Sequence, residues 1–403
     1  VVQRRHFLRN AGLGFGSLLL GPLTVEAGRR SPKKKRILVV VFQRGGMDGL
    51  MAVPPINDAN LRKLRPRLTM SLEGKKDECL LPLGNRFALH PSLAGLAPLF
   101  GRKELAVIHG VGLPQAERSH FDAQDYMETA TPGKKGTPSG WLNRLLSYYG
   151  NGGSEFRALA LAANMPRSLQ GSNEALVIEN VAAFARSNEM VTSFTEIYGQ
   201  SARDLLQEAG KKGFDSLNTL AGVDLDMNSR AGGLYPRTPL GKSLFQLARL
   251  IDGDLGVRLA FVPSGGWDTH NGQGTARGTF SRAGSDLGRS IASFWKDIEA
   301  HRDQVMLLTM TEFGRTVAEN GSGGTDHGRA SCFFALGSRV RGGKVYGQVP
   351  QLVRDNLEDG RDLPVTVDFR RVLAEVTRRH LGIKYNQQLF PGWSGKPLSF
   401  LKR

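Results

Sequence analysis

Five short apolar runs punctuate this chain, at residues 37–42, 105–108, 158–161, 259–262 and 305–310, and each gives way to glycine or polar residues. Their apolar character is continuous rather than alternating, as in strands covered on both faces. The run at 158–161 is the weakest, because neither Ala nor Leu favours a strand. Between the runs lie helical patterns at 91–100, 120–129, 141–149, 240–251, 280–300 and 369–381. Asp368 is placed to cap the last of these and Gly382 to stop it. Alternation of strand and helix predicts an α/β fold: a doubly wound, mainly parallel sheet with helices on both faces. Residues 37–403 read as one such domain, with a glycine-rich surface excursion near 200–240.

The first residues address the compartment. Arg4-Arg5-His6-Phe7-Leu8-Arg9 is a paired-arginine region, residues 10–25 carry no charge, and Val25-Glu26-Ala27 offers a small-residue cleavage site. That order predicts a twin-arginine signal peptide over 1–27, the Tat translocase as export partner, and a periplasmic or extracellular destination. A basic linker follows at 28–36, with six Lys or Arg residues from Arg29 to Arg36. The net charge of +17 fits anionic partners. These are an anionic small-molecule or polysaccharide substrate and, for the basic run, acidic lipid, anionic glycan or cell-wall polymer, where the run is not simply a solvated linker; nucleic acid is not expected. The two cysteines, Cys79 and Cys332, form no CxxC pattern, which excludes a cysteine zinc site. Cys332, inside the run Cys332-Phe333-Phe334-Ala335-Leu336, reads as a buried thiol.

In an open α/β sheet, function gathers beyond the carboxyl ends of the strands. Four polar clusters sit there. The first strand runs into Arg44-Gly45-Gly46-Met47-Asp48, where Asp48 offers an oxygen ligand. The second leads to Arg118-Ser119-His120-Phe121-Asp122. Ser119 there opens a helix whose amides favour an anion, and it suits either a hydroxyl nucleophile or an ordinary cap. The run at 259–262 leads to Gly265-Gly266-Trp267-Asp268-Thr269-His270. In extended chain, Asp268 and His270 point the same way and can grip one ion. The run at 305–310 leads to Thr311-Glu312-Phe313-Gly314-Arg315, then Thr325-Asp326-His327-Gly328-Arg329. Candidate metal ligands are therefore Asp48, His120, Asp268, His270, Glu312, Asp326 and His327, with Arg315 and Arg329 as clamps for an anionic oxygen. Mixed carboxylate and imidazole donors call for a divalent metal, zinc foremost, then manganese or iron, with calcium or magnesium at a carboxylate-rich subsite.

Several strings together carry a resemblance: Arg44-Gly-Gly-Met-Asp-Gly49, Leu89-His-Pro-Ser-Leu93, Ser119-His-Phe-Asp-Ala123, Gly140-Trp-Leu-Asn-Arg144, Gly265-Gly-Trp-Asp-Thr-His270, Thr311-Glu-Phe-Gly-Arg-Thr316 and Asp326-His-Gly-Arg-Ala330. In this order, behind a Tat-type signal, they resemble an exported bacterial family of unknown function, number fifteen-oh-one. That family is similar in turn to the alkaline phosphatase and sulfatase superfamily. The resemblance implies metals bound past the strand ends and a Ser or Thr nucleophile at a helix start, the place of Ser119. It also implies metal-ligand roles for Asp48, Asp268, His270, Glu312, Asp326 and His327. The chain departs from the superfamily pattern in three places: the Arg-Gly-Gly insertion displaces the acid after the first strand, Glu312-Phe313 stands where an Asp-His pair is usual, and Asp268 and His270 are unusually close. The expected activity is metal-dependent hydrolysis of a phosphate or sulfate ester, with an anionic polysaccharide among the substrates. The alternative is a non-catalytic exported binding protein of the same fold. A sulfatase modification motif is missing, which favours phosphate over sulfate.

Overall fold

The structure is a computed structural model; it describes residues 35–75, 77–149, 154–186, 220 and 223–402. The expected signal peptide, nearly all of the basic linker, and the 200–219 part of the surface excursion lie outside the described residues.

All five apolar runs form strands. They are β1 (Ile37–Gln43), β4 (Leu105–Gly112), β5 (Ala158–Ala160), β7 (Leu259–Ser264) and β8 (Val305–Met310). A small hairpin, β2 (Leu81–Pro82) and β3 (Ala88–Leu89), stands apart. Four further strands complete the main sheet: β6 (Leu176–Val177), β9 (Ser331–Gly337), β10 (Lys344–Tyr346) and β11 (Val367–Asp368). The order is β10-β4-β9-β8-β1-β7-β5-β6, with β11 also alongside β4.

Strand β1 sits at the centre, parallel to β7 (Val40 opposite Phe261) and to β8 (Val40 opposite Leu308). The sheet is mostly parallel, as expected, with one exception. The run around Cys332 is strand β9, antiparallel to both β4 and β8. This reversal matters for the site. The segment entering β9 lies at the same rim as the carboxyl ends of β1, β7 and β8, so it delivers Asp326 and His327 there.

Alternate residues of β1 serve opposite faces. Val39 and Val41 join a core that includes Phe245, Leu247, Phe280, Leu287 and Ile291, from the helices Pro239–Asp252 and Thr279–Asp297. Leu38, Val40 and Phe42 join a second core with Ala123, Met127, Trp141, Leu142, Phe369 and Leu373. These come from the helices His120–Thr129, Trp141–Leu146 and Phe369–Glu375. Helices on both faces of one sheet are the doubly wound arrangement. The expected last helix continues from Glu375 only as a π turn, Val376–His380. Its predicted boundaries hold: Asp368 accepts from the Arg370 N–H, and Gly382 adopts φ +72°. Cys332 is a buried thiol, pushed well above its ordinary pKa by that burial.

Candidate metal centre

Four loops meet over the carboxyl ends of β1, β7 and β8, and backbone contacts lock them together. The Thr325 N–H donates to the Thr269 carbonyl at 3.1 Å, Gly314 to Arg329 at 2.9 Å, and Thr316 to Asp326 at 2.9 Å. Such stacking leaves no room for a side chain at several positions, Gly45 and Gly324 among them. A Cβ on Gly45, at φ +118°, would sit 2.4 Å from the Asp268 nitrogen, and one on Gly324 would sit 2.3 Å from the His270 carbonyl oxygen. Glycine permits both the backbone angle and the close approach.

At this rim His120, Asp268 and His327 bring one ligand atom each within 4.8 Å of one another. His270 joins them: its Nε2 lies 2.9 Å from His327 Nε2 and 3.2 Å from Asp268 Oδ1. The Nδ1 of each imidazole is committed elsewhere. His120 Nδ1 meets Glu312 Oε1 at 2.8 Å, His327 Nδ1 meets the Arg118 carbonyl at 2.8 Å, and His270 Nδ1 meets Asp326 Oδ1 at 3.0 Å. An acceptor at Nδ1 holds the proton there and turns the Nε2 lone pair inward, as in metal-binding histidines. His120 Nε2 is buried without a hydrogen-bond partner, 3.5 Å from Asp268 Oδ2. An unpartnered buried nitrogen facing a carboxylate and two more imidazole nitrogens fits a cation among them. Three imidazoles and one carboxylate suit zinc, manganese or iron, and do not suit calcium or magnesium, which take oxygen donors.

The local charges favour the ligand forms. Burial disfavours the Asp268 anion, but the Arg315 guanidinium at 2.5 Å, with His270 and His120, outweighs it and holds the carboxyl below its usual range. Burial pushes His327 down; its bond to the Arg118 carbonyl opposes this, and the nearby Arg315 guanidinium adds to the lowering. The fractional exposure of the Asp268 side chain, 49%, leaves the centre open to solvent.

The remaining expected site residues surround this set without facing it. Glu312 is buried, and its Oε1 accepts from His120 Nδ1, the Gly45 N–H at 2.8 Å and Gln124 Nε2 at 2.9 Å. Burial alone would raise its pKa, and these bonds reverse the direction. Glu312 therefore braces His120, and Asp326 braces His270 in the same way. Asp48 is not brought to the centre. Its oxygens accept from Arg65 at 2.7 and 3.2 Å and from Gln273 Nε2 at 2.8 Å, and it caps the short helix Gly49–Ala52. Arg315 is fully buried and spent on the Gly45, Gly46, Trp267 and Thr325 carbonyls as well as Asp268, so it organises loops and presents nothing to a substrate. Arg329 is buried too, bound to Glu358 and to the Leu113 and Pro114 carbonyls. Ser119 is the N-cap of the helix His120–Thr129; its exposed hydroxyl accepts from the Asp122 N–H at 3.5 Å.

Several residues of the centre escaped the sequence reading. Gln124 lies one helical turn beyond His120, a spacing that puts both on one face. Gln273 Oε1 accepts from the hydroxyls of Thr269 (2.8 Å) and Thr325 (2.7 Å), which tie down the two ligand loops. Arg118 supplies the carbonyl for His327, and its guanidinium binds the buried Asp362, which also holds Arg361. Nothing in local sequence marks Arg65 or Asp362.

The family model described as "Protein of unknown function (DUF1501)" matches residues 78–389, most of the chain. The chain belongs to that family. No curated protein matches this DUF1501 chain. Among solved structures it is similar to the C-terminal periplasmic domain of EcEptC from Escherichia coli in complex with Zn, at 12% identity and TM-score 0.37, covering 77% of this chain and 74% of that one. The lipoteichoic acid synthase LtaP from Listeria monocytogenes follows at 11% and 0.34, covering 79% and 67%. Alkaline phosphatase from the Antarctic bacterium TAB5 matches at 10% and 0.32, covering 78% and 95%.

Proposed function

We propose that this protein is an exported, metal-dependent hydrolase of phosphate or sulfate esters, with an anionic small molecule or polysaccharide as substrate and the Tat translocase as its export partner. The observation that carries the metal is the convergence of His120 Nε2, His327 Nε2, His270 Nε2 and the Asp268 carboxylate, each imidazole held by an acceptor at Nδ1. A divalent ion bound there would polarise an ester oxygen and lower the pKa of a nearby water.

The chain's own residues supply the rest. Asp268, half-exposed, stays ionised through Arg315. His120 and His327 face the same space through their Nε2 atoms. Ser119 serves as a cap, and among the described residues no base contacts its hydroxyl, so attack is assigned to a water at the centre rather than to Ser119. The helix His120–Thr129 points its amino end at the rim, where its dipole favours the anionic group of the substrate.

The test is to purify the protein without chelator, quantify bound metals, and screen aryl phosphates and aryl sulfates. Near-stoichiometric zinc, manganese or iron is expected, with turnover lost in Asp268→Ala and His327→Ala. Ser119→Ala should cost about 1 kcal/mol of stability as a lost cap and leave turnover intact. A metal-free preparation, or turnover surviving both ligand variants, refutes the assignment; loss of turnover in Ser119→Ala returns the attacking oxygen to that residue.

A further inference from the structure

The opposite end of the sheet carries a different kind of chemistry. Strand β1 is seven residues long, so its amino end lies about 20 Å from the metal centre. Around that end sit cations from separate turns. Arg36 precedes β1, Lys103 precedes β4, Arg339 and Arg341 follow the antiparallel β9, Arg379 closes the π turn, and Lys402 lies near the end of the described chain.

Main-chain bonds make them neighbours. The Lys402 N–H donates to the Arg339 carbonyl at 2.8 Å, Arg341 to Phe400 at 2.9 Å, and Gly343 to Leu105 at 2.8 Å. Gly342 packs directly on Lys103, and His380, next to Arg379, meets the Ile37 carbonyl through Nε2 at 2.8 Å. Arg36 is held below its ordinary value by partial burial and then by the like charge of Arg339, which shows how close the two lie. Two further bases on this end are paired, Lys35 with Asp254 at 2.7 Å and Arg102 with Glu104 at 2.9 Å. Among the described residues, Lys103, Arg339, Arg341, Arg379 and Lys402 form no ion pair.

Unpaired like charges gathered on one face raise the free energy of the isolated fold and are compensated by an external anion. The chain itself indicates which one. The basic run Arg29, Arg30, Lys33, Lys34, Lys35, Arg36 lies beyond the expected cleavage site, and its last two members, Lys35 and Arg36, stand at this same face. A run of six Lys or Arg residues leading into a basic surface is the arrangement of a protein held against anionic headgroups. The cations also come from turn tips spread over an end-face, which suits a plane of charge.

We propose that this amino-terminal rim of the sheet is a docking surface for an anionic lipid bilayer, leaving the metal centre facing away from it. Each Lys or Arg near such a surface contributes roughly fivefold in affinity, falling within a Debye length.

The test is co-sedimentation of the exported chain, without the expected signal over 1–27, with phosphatidylcholine vesicles, with and without phosphatidylglycerol, over a salt series. Binding is expected only to the anionic vesicles and should weaken as salt rises. Arg339→Gln, Arg341→Gln and Lys402→Gln together should lower the affinity roughly 100-fold, and Lys103→Gln with Arg379→Gln roughly 25-fold, by multiplying the fivefold factors. The second variant reads the face from other turns should the first misfold, and bound metal should be unchanged in both. Equal binding to neutral vesicles, affinity unmoved in the double variant, or binding to dextran sulfate without binding to vesicles overturns the proposal. None of these outcomes bears on the hydrolase reading, which is scored by metal and turnover.

Discussion

Replacing Glu312 separates a brace from a ligand. The side chain is buried, and its Oε1 takes three donors: His120 Nδ1, the Gly45 N–H and Gln124 Nε2. Glu312→Gln keeps an oxygen at that point. The new amide N–H₂ would face Thr311 Oγ1, which now donates to the Gln43 carbonyl at 2.8 Å and accepts from the Met47 N–H at 3.0 Å. A hydroxyl has a second lone pair, so it can accept the amide. The fold should survive with little change in melting temperature. What is lost is the negative charge behind His120, and loss of such a partner typically costs 10–100-fold in metal affinity. Glu312→Ala is a different perturbation. It strands three buried donors at about 1–3 kcal/mol each, roughly 3–9 kcal/mol together, against a total stability of about 5–15 kcal/mol for a typical protein. That variant should be largely unfolded or melt far lower. Equilibrium dialysis against zinc and thermal melting by circular dichroism read the two effects separately. Wild-type zinc affinity in Glu312→Gln, or an undisturbed melt in Glu312→Ala, refutes the bracing geometry.

Two further outcomes follow from buried groups. Gln273→Leu leaves the Thr269 and Thr325 hydroxyls and Asp48 Oδ2 without their shared partner. It should destabilise by about 3 kcal/mol or more, and metal affinity should fall because those threonines adjoin the ligand loops; a melt matching the wild type counts against the network. His90, His109 and His380 are each pushed down to about 4, chiefly by burial. Their folded pKa lies below the unfolded value near 6.5, so the unfolded chain binds the proton first. The stability they confer is complete above pH 6.5 and drains away as pH falls toward 4, by roughly 3 kcal/mol for each histidine. Stability measured across that range should drop steeply, with a shallower slope in His109→Gln; a flat profile refutes it.

The sheet was legible because its strands are covered on both faces. Burial on both sides demands continuous apolar runs, and β1, β4, β5, β7 and β8 announce themselves that way. Strand β9 has the same kind of run, Cys332 to Leu336, but lacks a helical crossover before it. Its reversed direction is a property of the connection, which composition does not encode. In the site, residue types were legible and their roles were not. Asp268 and His270 share a side because extended chain repeats every two residues. Glu312 and Asp326 carry the same donor atoms as a ligand and lie at the same rim, yet stand on the Nδ1 side of their histidines. Asp48 looked equally suitable and is neutralised by Arg65, seventeen residues on, from a helix end with no distinguishing pattern. Arg315 and Arg329 resembled anion clamps because sequence shows their charge and hides the carbonyls that consume it.

The centre is cross-braced in a way that explains why so many polar residues crowd it. His120, after β4, is held by Glu312, after β8. Asp268, after β7, is held by Arg315 from that same β8 loop. His327, before β9, is held by the Arg118 carbonyl after β4, and His270, after β7, by Asp326 before β9. Every donor facing the centre is thus fixed by a residue of a different loop. A single loop moving alone would break a charge-assisted or imidazole bond, so the four loops move together or not at all. Such rigidity costs buried charge, compensated by Arg315 and Arg65, and it holds four donors convergent where flexible loops would let the imidazoles turn outward to water. The donor set is therefore built by the sheet order: only with β9 antiparallel between β4 and β8 does the loop bearing His327 reach the rim where His120 and Asp268 already face each other.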